Sequence, residues 1–193
     1  TWAVGFVMVL LITVMTLGKV HELAEVLCGA KPRRLIGTAP AQPQPLPASP
    51  PKVSIHVPAY REQPAMVIET LNSLAALDYT NFEAIIIVNN TPEAFYSAPV
   101  AARCRELGDR FKFLNITCSG FKAVALNVAL QHTAADADVI AVIDADYVVQ
   151  PGWLKDLVPY FADPSVGLIQ APQDHRDGAE SSLKRVMNAE YAG

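Results

Sequence analysis

The chain of 193 residues holds only three cysteines, Cys28, Cys104 and Cys118. They form no CxxC pair and their number is odd, which argues against zinc ribbons and disulfide frameworks and fits a reducing compartment. Histidine is equally scarce. His21, His56, His132 and His175 show no metal-ligand spacing. His56 lies inside an apolar run and reads as a satisfied core histidine, His21 and His132 as surface positions. Charged residues make up only 18%, and 15 Lys+Arg against 19 Asp+Glu leave a net charge of −4. The basic face of a duplex-binding protein is missing, so nucleic acid is not an expected partner. No G-x-G-x-x-G follows any strand-like run, which argues against a dinucleotide dehydrogenase. A hydrophobic content of 51% excludes a disordered chain.

What is present falls into three zones. Residues 2–18 contain no charge, enough for a helix of roughly 25 Å, at the short end of a bilayer span. There is no basic n-region and no A-x-A site, so residues 1–18 read as a transmembrane helix and not as a signal peptide. The sequence opens without methionine inside this apolar pattern, so the segment is expected to begin upstream. Lys19, Lys31, Arg33 and Arg34 follow closely and place the downstream part in the cytoplasm. Residues 19–51 form a juxtamembrane segment and linker. Six of the fifteen prolines lie between 38 and 52, a composition that favours an extended spacer.

The third zone, 52–193, alternates strand-like and helical patterns. Strands are expected at 53–57, 83–88, 111–116, 139–143 and 166–170. Helices are expected from Pro64 (with Val67, Leu71, Leu74 and Ala75 at helical spacing), around 97–107, near 121–132, from about Pro151, and at the end of the chain. Repeated βα units imply an α/β fold with a mostly parallel sheet flanked by helices. In such a sheet, ligands bind beyond the carboxyl ends of the strands.

At the carboxyl end of one strand stands IAVIDADY. Asp144 and Asp146, one residue apart, can share a divalent cation that also bridges a nucleotide diphosphate. Asp136-Ala137-Asp138 repeats the tripeptide but precedes the strand, so it reads as a solvated turn. Other strand ends supply PAYRE, with Tyr60 to stack on a base and Glu62 to accept a hydrogen bond. They also supply NNTP, whose Asn89 and Asn90 can meet a base edge or cap a turn, and SGFKAVALN, where Lys122 offers a cation to a phosphate. Read singly, each of these is also an ordinary turn or a solvated side chain.

Together PKVSIHVPAYRE, IIIVNNT, GFKAVALNVAL, AVIDADYVVQPGWL and GLIQAPQDHRD resemble family 2 glycosyltransferases of the GT-A (Rossmann-like) fold. The resemblance covers about residues 52–192 and lies in the membrane-bound processive branch, most like bacterial β-(1,3)-glucan and cyclic-glucan synthases. It implies an inverting, metal-dependent transfer of glucose from UDP-glucose to a growing β-glucan at the bacterial inner membrane. By the same resemblance Ala59, Tyr60 and Glu62 surround the uridine and Lys122 faces the diphosphate. Asp144 lies near the nucleotide, and Asp144 with Asp146 holds Mg²⁺ or Mn²⁺. Asn89 stands where the family usually has a uracil-binding aspartate. The family's TED-like catalytic-base triplet and QxxRW motif do not occur, so the base is expected beyond Gly193. Two other readings are a non-catalytic nucleotide-sugar-binding module at the membrane and a sugar-nucleotide pyrophosphorylase. The latter typically needs a glycine-rich loop after the first strand, which PAYRE does not provide.

Overall fold

The computed structural model describes residues 2–27, 45–171, 181 and 184. The expected final helix, Cys28 and His175 lie outside the described residues. The chain divides into two units, one containing the N-terminal helix and the other residues 39–171.

Helix α1 (Trp2–Leu27) runs past the expected end at Gly18, because the KVHELAEVL that follows holds neither proline nor glycine to stop it. Its segment Trp2–His21 is, among the described residues, the one helix long and apolar enough to cross a membrane. Thr13 and Thr16 donate their hydroxyls to the Val9 and Ile12 carbonyls, each at 2.8 Å, so these side chains require no water.

The second unit is built on four parallel strands, β1 (Val53–Ala59), β2 (Phe82–Asn89), β3 (Phe111–Ile116) and β4 (Val139–Val142), in the order β3-β2-β1-β4. Three helices make the crossovers: α2 (Pro64–Ala75), α3 (Ala94–Leu107) and α4 (Lys122–His132). All eight residues of β2 are buried, as its run of β-branched side chains requires of a strand covered on both faces. Ala84, Ile86 and Val88 pack with Val67, Leu71 and Leu74 of α2 and Val100 and Cys104 of α3. Ile85 and Ile87 meet Ala125 and Ala129 of α4, whose small side chains fit beneath the helix.

Three expectations change. Ala75 is exposed, and Thr70 takes the buried place on α2. Residues 166–170 form no strand among the described residues, and Leu168 is 71% exposed. An apolar run by itself does not make a strand; a ladder partner does. The folded unit also begins earlier than residue 52. Leu46 packs against the core, the Asn81 amide donates to the Pro50 carbonyl at 2.8 Å, and the Tyr79 hydroxyl donates to that of Pro51. Beyond β4, α5 (Trp153–Leu157) tightens into a 3-10 turn at Val158–Ala162, where Pro159 lacks the amide to continue an α-helix.

A buried polar chain crosses the amino end of the sheet. Ser54 donates to Glu83 at 2.8 Å, and Thr133 donates to the Ala129 carbonyl at 3.1 Å. Both hydroxyl protons are thus spent, so His56 Nε2, 3.2 Å from Ser54 and 2.9 Å from Thr133, must carry the ring proton. His56 is therefore satisfied at Nε2 only. Its Nδ1 is buried without a partner among the described residues, and burial pushes the imidazole below its ordinary 6.5, with the Glu83 carboxylate opposing. Burial alone would raise Glu83. The Ala134 amide, Lys112 and Ser54 outweigh that and hold it below its ordinary 4.5.

Both shifts make the unfolded chain the better proton acceptor in acid, so stability falls as pH drops below each unfolded value. The thermal midpoint should decline between about pH 7 and 5, and the decline should be shallower in His56→Gln. Equal slopes for the two proteins in parallel melts would exclude His56 as the source.

Candidate functional site

Because all four strands are parallel, their carboxyl ends share one edge. From β1 the chain builds outward through β2 and β3, then returns to the other side of β1 to lay down β4. The β1/β4 boundary is therefore the topological switch point, where the two following loops diverge and leave a crevice.

Residues from three elements line that crevice. The end of β1 contributes Pro58, Ala59, Tyr60 and Glu62; the segment after β4 contributes Asp144, Ala145 and Asp146; the start of α4 contributes Lys122. Ala59 is buried, and Tyr60 is half exposed with the Arg61 guanidinium 5.9 Å from its ring centre. Arg61 turns the chain out of the sheet with φ of 52°, donates its amide to the Thr91 hydroxyl at 3.2 Å, and pairs with Glu93 at 2.8 Å.

Loop 117–121 sets where Lys122 emerges. Asn90, with φ of 49°, donates to the Gly120 carbonyl at 3.0 Å and accepts the Cys118 amide at 2.9 Å. Asn89 is buried. Its amide donates to the same carbonyl at 3.4 Å and its oxygen accepts the Cys118 thiol at 3.1 Å. Asn89 thus stands at the expected strand end, but its side chain is spent on this loop and does not line the crevice. Gly120 has φ of 150°, and a Cβ there would fall 2.4 Å from Val124 Cγ2, so the turn into α4 admits only glycine.

The loop carrying Asp144 and Asp146 is pinned from beneath. Buried Thr70 donates to the Ala145 carbonyl at 2.8 Å, and the Val149 amide donates to Ser73 at 3.2 Å. Sequence reasoning missed both hydroxyls. The available signal was polar residues on or beside the apolar stripe of α2.

Three carboxylates and one ammonium line the crevice. Lys122 forms an ion pair with Asp144. Burial, followed by the neighbouring Asp146 and Asp144 carboxylates, raises the Glu62 carboxyl above its ordinary value. A divalent cation would relieve this crowding, so the residues fit one. Among the described residues no three His, Cys, Asp or Glu side chains form a cage. Two carboxylates completed by phosphate oxygens and water suit Mg²⁺-like ions, which keep waters and rarely use an all-protein cage.

Asp136 and Asp138 sit at the opposite end of β4. Asp136 pairs with Lys52 at 2.8 Å, and Asp138 accepts the Lys52 amide at 2.8 Å. They are exposed, as expected of a turn, but they clasp the start of β1 to β4.

The family model described as "Glycosyl transferase family 2" matches residues 54–192. The chain belongs to that family. Among family 2 relatives, an N-acetylglucosaminyltransferase of Rhizobium leguminosarum bv. viciae is 29% identical over 82% of this chain and 37% of its own length. A beta-monoglucosyldiacylglycerol synthase of Synechocystis is 30% identical over 74% of this chain and 29% of its own. The chain thus spans about a third of the length of these curated relatives. The mannosyltransferase PcManGT from Pyrobaculum calidifontis, solved with GDP-Man and Mn²⁺, superposes with a TM-score of 0.61 at 25% identity, over 83% of this chain and 47% of that one. TarS of S. aureus, at 24% identity and a TM-score of 0.50 over 64% of this chain and 37% of that one, shares the fold. The GT-A architecture expected from the sequence is therefore present. The relatives' names speak of N-acetylglucosaminyl, glucosyl and mannosyl transfer, so family membership stops short of a β-glucan synthase.

Proposed function

We propose that this chain forms the nucleotide-sugar- and metal-binding part of an inverting, membrane-tethered glycosyltransferase. The observation that carries the reading is the meeting of Tyr60, Glu62, Lys122, Asp144 and Asp146 in one crevice at the switch point. Tyr60 offers a ring to the base, beside the small Ala59. Lys122 at the start of α4 answers the diphosphate, helped by the positive end of that helix's dipole. Asp144 and Asp146 hold Mg²⁺ or Mn²⁺, whose role is to neutralise charge on the departing nucleoside diphosphate. The metal-bound, nucleotide-sugar-bound state of the mannosyltransferase neighbour supports this assignment. Asn89 acts on the base only indirectly, through the loop it holds.

The donor we favour is UDP-glucose and the acceptor a growing β-glucan, β-1,3-linked, from the wording of the NNT and VIDADYVV segments. The helix Trp2–His21 would hold the domain on the cytoplasmic side of a bacterial inner membrane. Donor choice is tested by titrating the chain, with Mn²⁺ present, with UDP-glucose, UDP-N-acetylglucosamine and GDP-mannose. The expected result is binding of the uridine donors with UDP-glucose tightest. Preference for GDP-mannose would overturn the uridine assignment, and no binding of any donor would leave a scaffolding module as the better reading.

A further inference from the structure

Lys122 and Asp144 make one ion pair, yet the proposed function gives them different partners, the diphosphate and the metal. They cannot keep the pair and take both ligands. We propose that Lys122 is a resident counter-ion that changes partner. It neutralises Asp144 in the empty site, is ejected when a divalent cation arrives, and then closes on the diphosphate. This inference rests on the nucleotide-sugar reading of the crevice and adds to it a mechanism of ordered, cooperative loading.

Three structural features support the exchange. The pair is between partly exposed side chains, 53% for Lys122 and 43% for Asp144, so it is weak enough to be broken by a ligand. Lys122 sits in the first turn of α4, whose entry is held by Asn90 and by the special conformation of Gly120. The backbone therefore stays fixed while the long side chain swings between two acceptors. Finally, Glu62 lines the same crevice and feels the Asp144 carboxylate, so removing the ammonium without supplying another cation would leave these two like charges facing one another.

Coupling follows from thermodynamics. Each ligand arriving alone must break the pair, and the second arrives with the pair already broken. Metal and diphosphate should then strengthen one another by the same factor. Lys122→Met separates the terms. Mn²⁺ alone should bind this variant about two- to five-fold more tightly, because its competitor for Asp144 is gone, a range set by the strength of an exposed pair. UDP with Mn²⁺ should bind it more weakly than it binds the unaltered protein. Met keeps the apolar stem and spares the α4 turn.

General removal of positive charge could also favour Mn²⁺, so the exchange needs a direct readout on the unaltered chain. Acylation of the Lys122 amine by an amine-reactive ester, followed by peptide mass spectrometry, supplies it. Labelling should rise by at least about two-fold when Mn²⁺ is added alone, and should fall below the ligand-free level when UDP follows. If UDP binds with Mn²⁺ but Mn²⁺ leaves Lys122 labelling unchanged, the exchange is wrong and the nucleotide-sugar reading survives. If Mn²⁺ exposes Lys122 but UDP neither binds nor protects it, the exchange loses its second acceptor and the nucleotide-sugar reading fails with it.

Discussion

Asp146→Ala should abolish the strengthening of UDP binding by Mn²⁺, while Asp138→Ala should leave it intact. The two residues belong to the same tripeptide pattern, D-A-D, and differ in which end of β4 they occupy. Asp146 lines the crevice with Glu62 and Asp144, where its carboxylate would complete the coordination of a metal that also holds phosphate oxygens. Even indirect partners of a metal typically change affinity by about 10–100-fold when removed, and a direct ligand should matter at least as much. Asp138 instead accepts the Lys52 amide at 2.8 Å and returns its own amide to the Lys52 carbonyl at 2.9 Å. Losing its side chain should lower stability by about 1 kcal/mol, the usual net contribution of one hydrogen bond. Calorimetry of UDP with and without Mn²⁺ on the three proteins decides the matter. Equal losses in both variants would show that the crevice is not the metal site.

The full chain should float with lipid vesicles, and a shortened chain starting at Pro45 should stay in the aqueous fraction. Thirteen large apolar side chains between Trp2 and Val20 are exposed. At roughly 1.5 kcal/mol each, withdrawing them from water is favourable by on the order of 20 kcal/mol. The shortened chain must begin at 45 and not at 52, because Leu46 and the Pro50 and Pro51 carbonyls are part of the folded unit. A chain cut at 52 should express with a lower melting temperature than one cut at 45. A full chain that remains in the aqueous fraction as a monomer would rule out the membrane tether.

The parallel strands were legible because a buried central strand has an unmistakable composition. EAIIIV offers no polar face, and the structure buries every residue of β2. The crevice was legible for a related reason: once the strands are parallel, every residue following one lies on the same edge. Position thus separated Asp144 and Asp146 from their upstream copy, where the pattern alone did not. What the sequence obscured were contacts that depend on packing distance. Nothing in SLAALDYTN announces that Tyr79 and Asn81 reach back to the proline segment. Likewise Thr70 looks like an interruption of a helical stripe until its hydroxyl is seen on the Ala145 carbonyl. Asn89 was open to two readings at its strand end, a base contact or a turn, and its side chain is occupied by its own loop. VGLIQ was misread because hydrophobicity does not reveal whether a neighbouring strand is there to pair with.

The crossover from α4 into β4 also has a consequence in time. β1 pairs with β4 from Val53↔Val139 onward, and the Lys52–Asp138 clasp at the start of that ladder joins residues 86 positions apart. On a ribosome adding about 5–20 residues per second, one edge of β1 must wait roughly 4–17 s for its partner to be synthesised. Once β2 has been made, β1 has it on one side and, until β4 arrives, an open row of amides and carbonyls on the other, a ready template for pairing with a foreign strand. Closing that edge falls to a four-residue strand, secured at its start by the Asp136 and Asp138 clasp on Lys52.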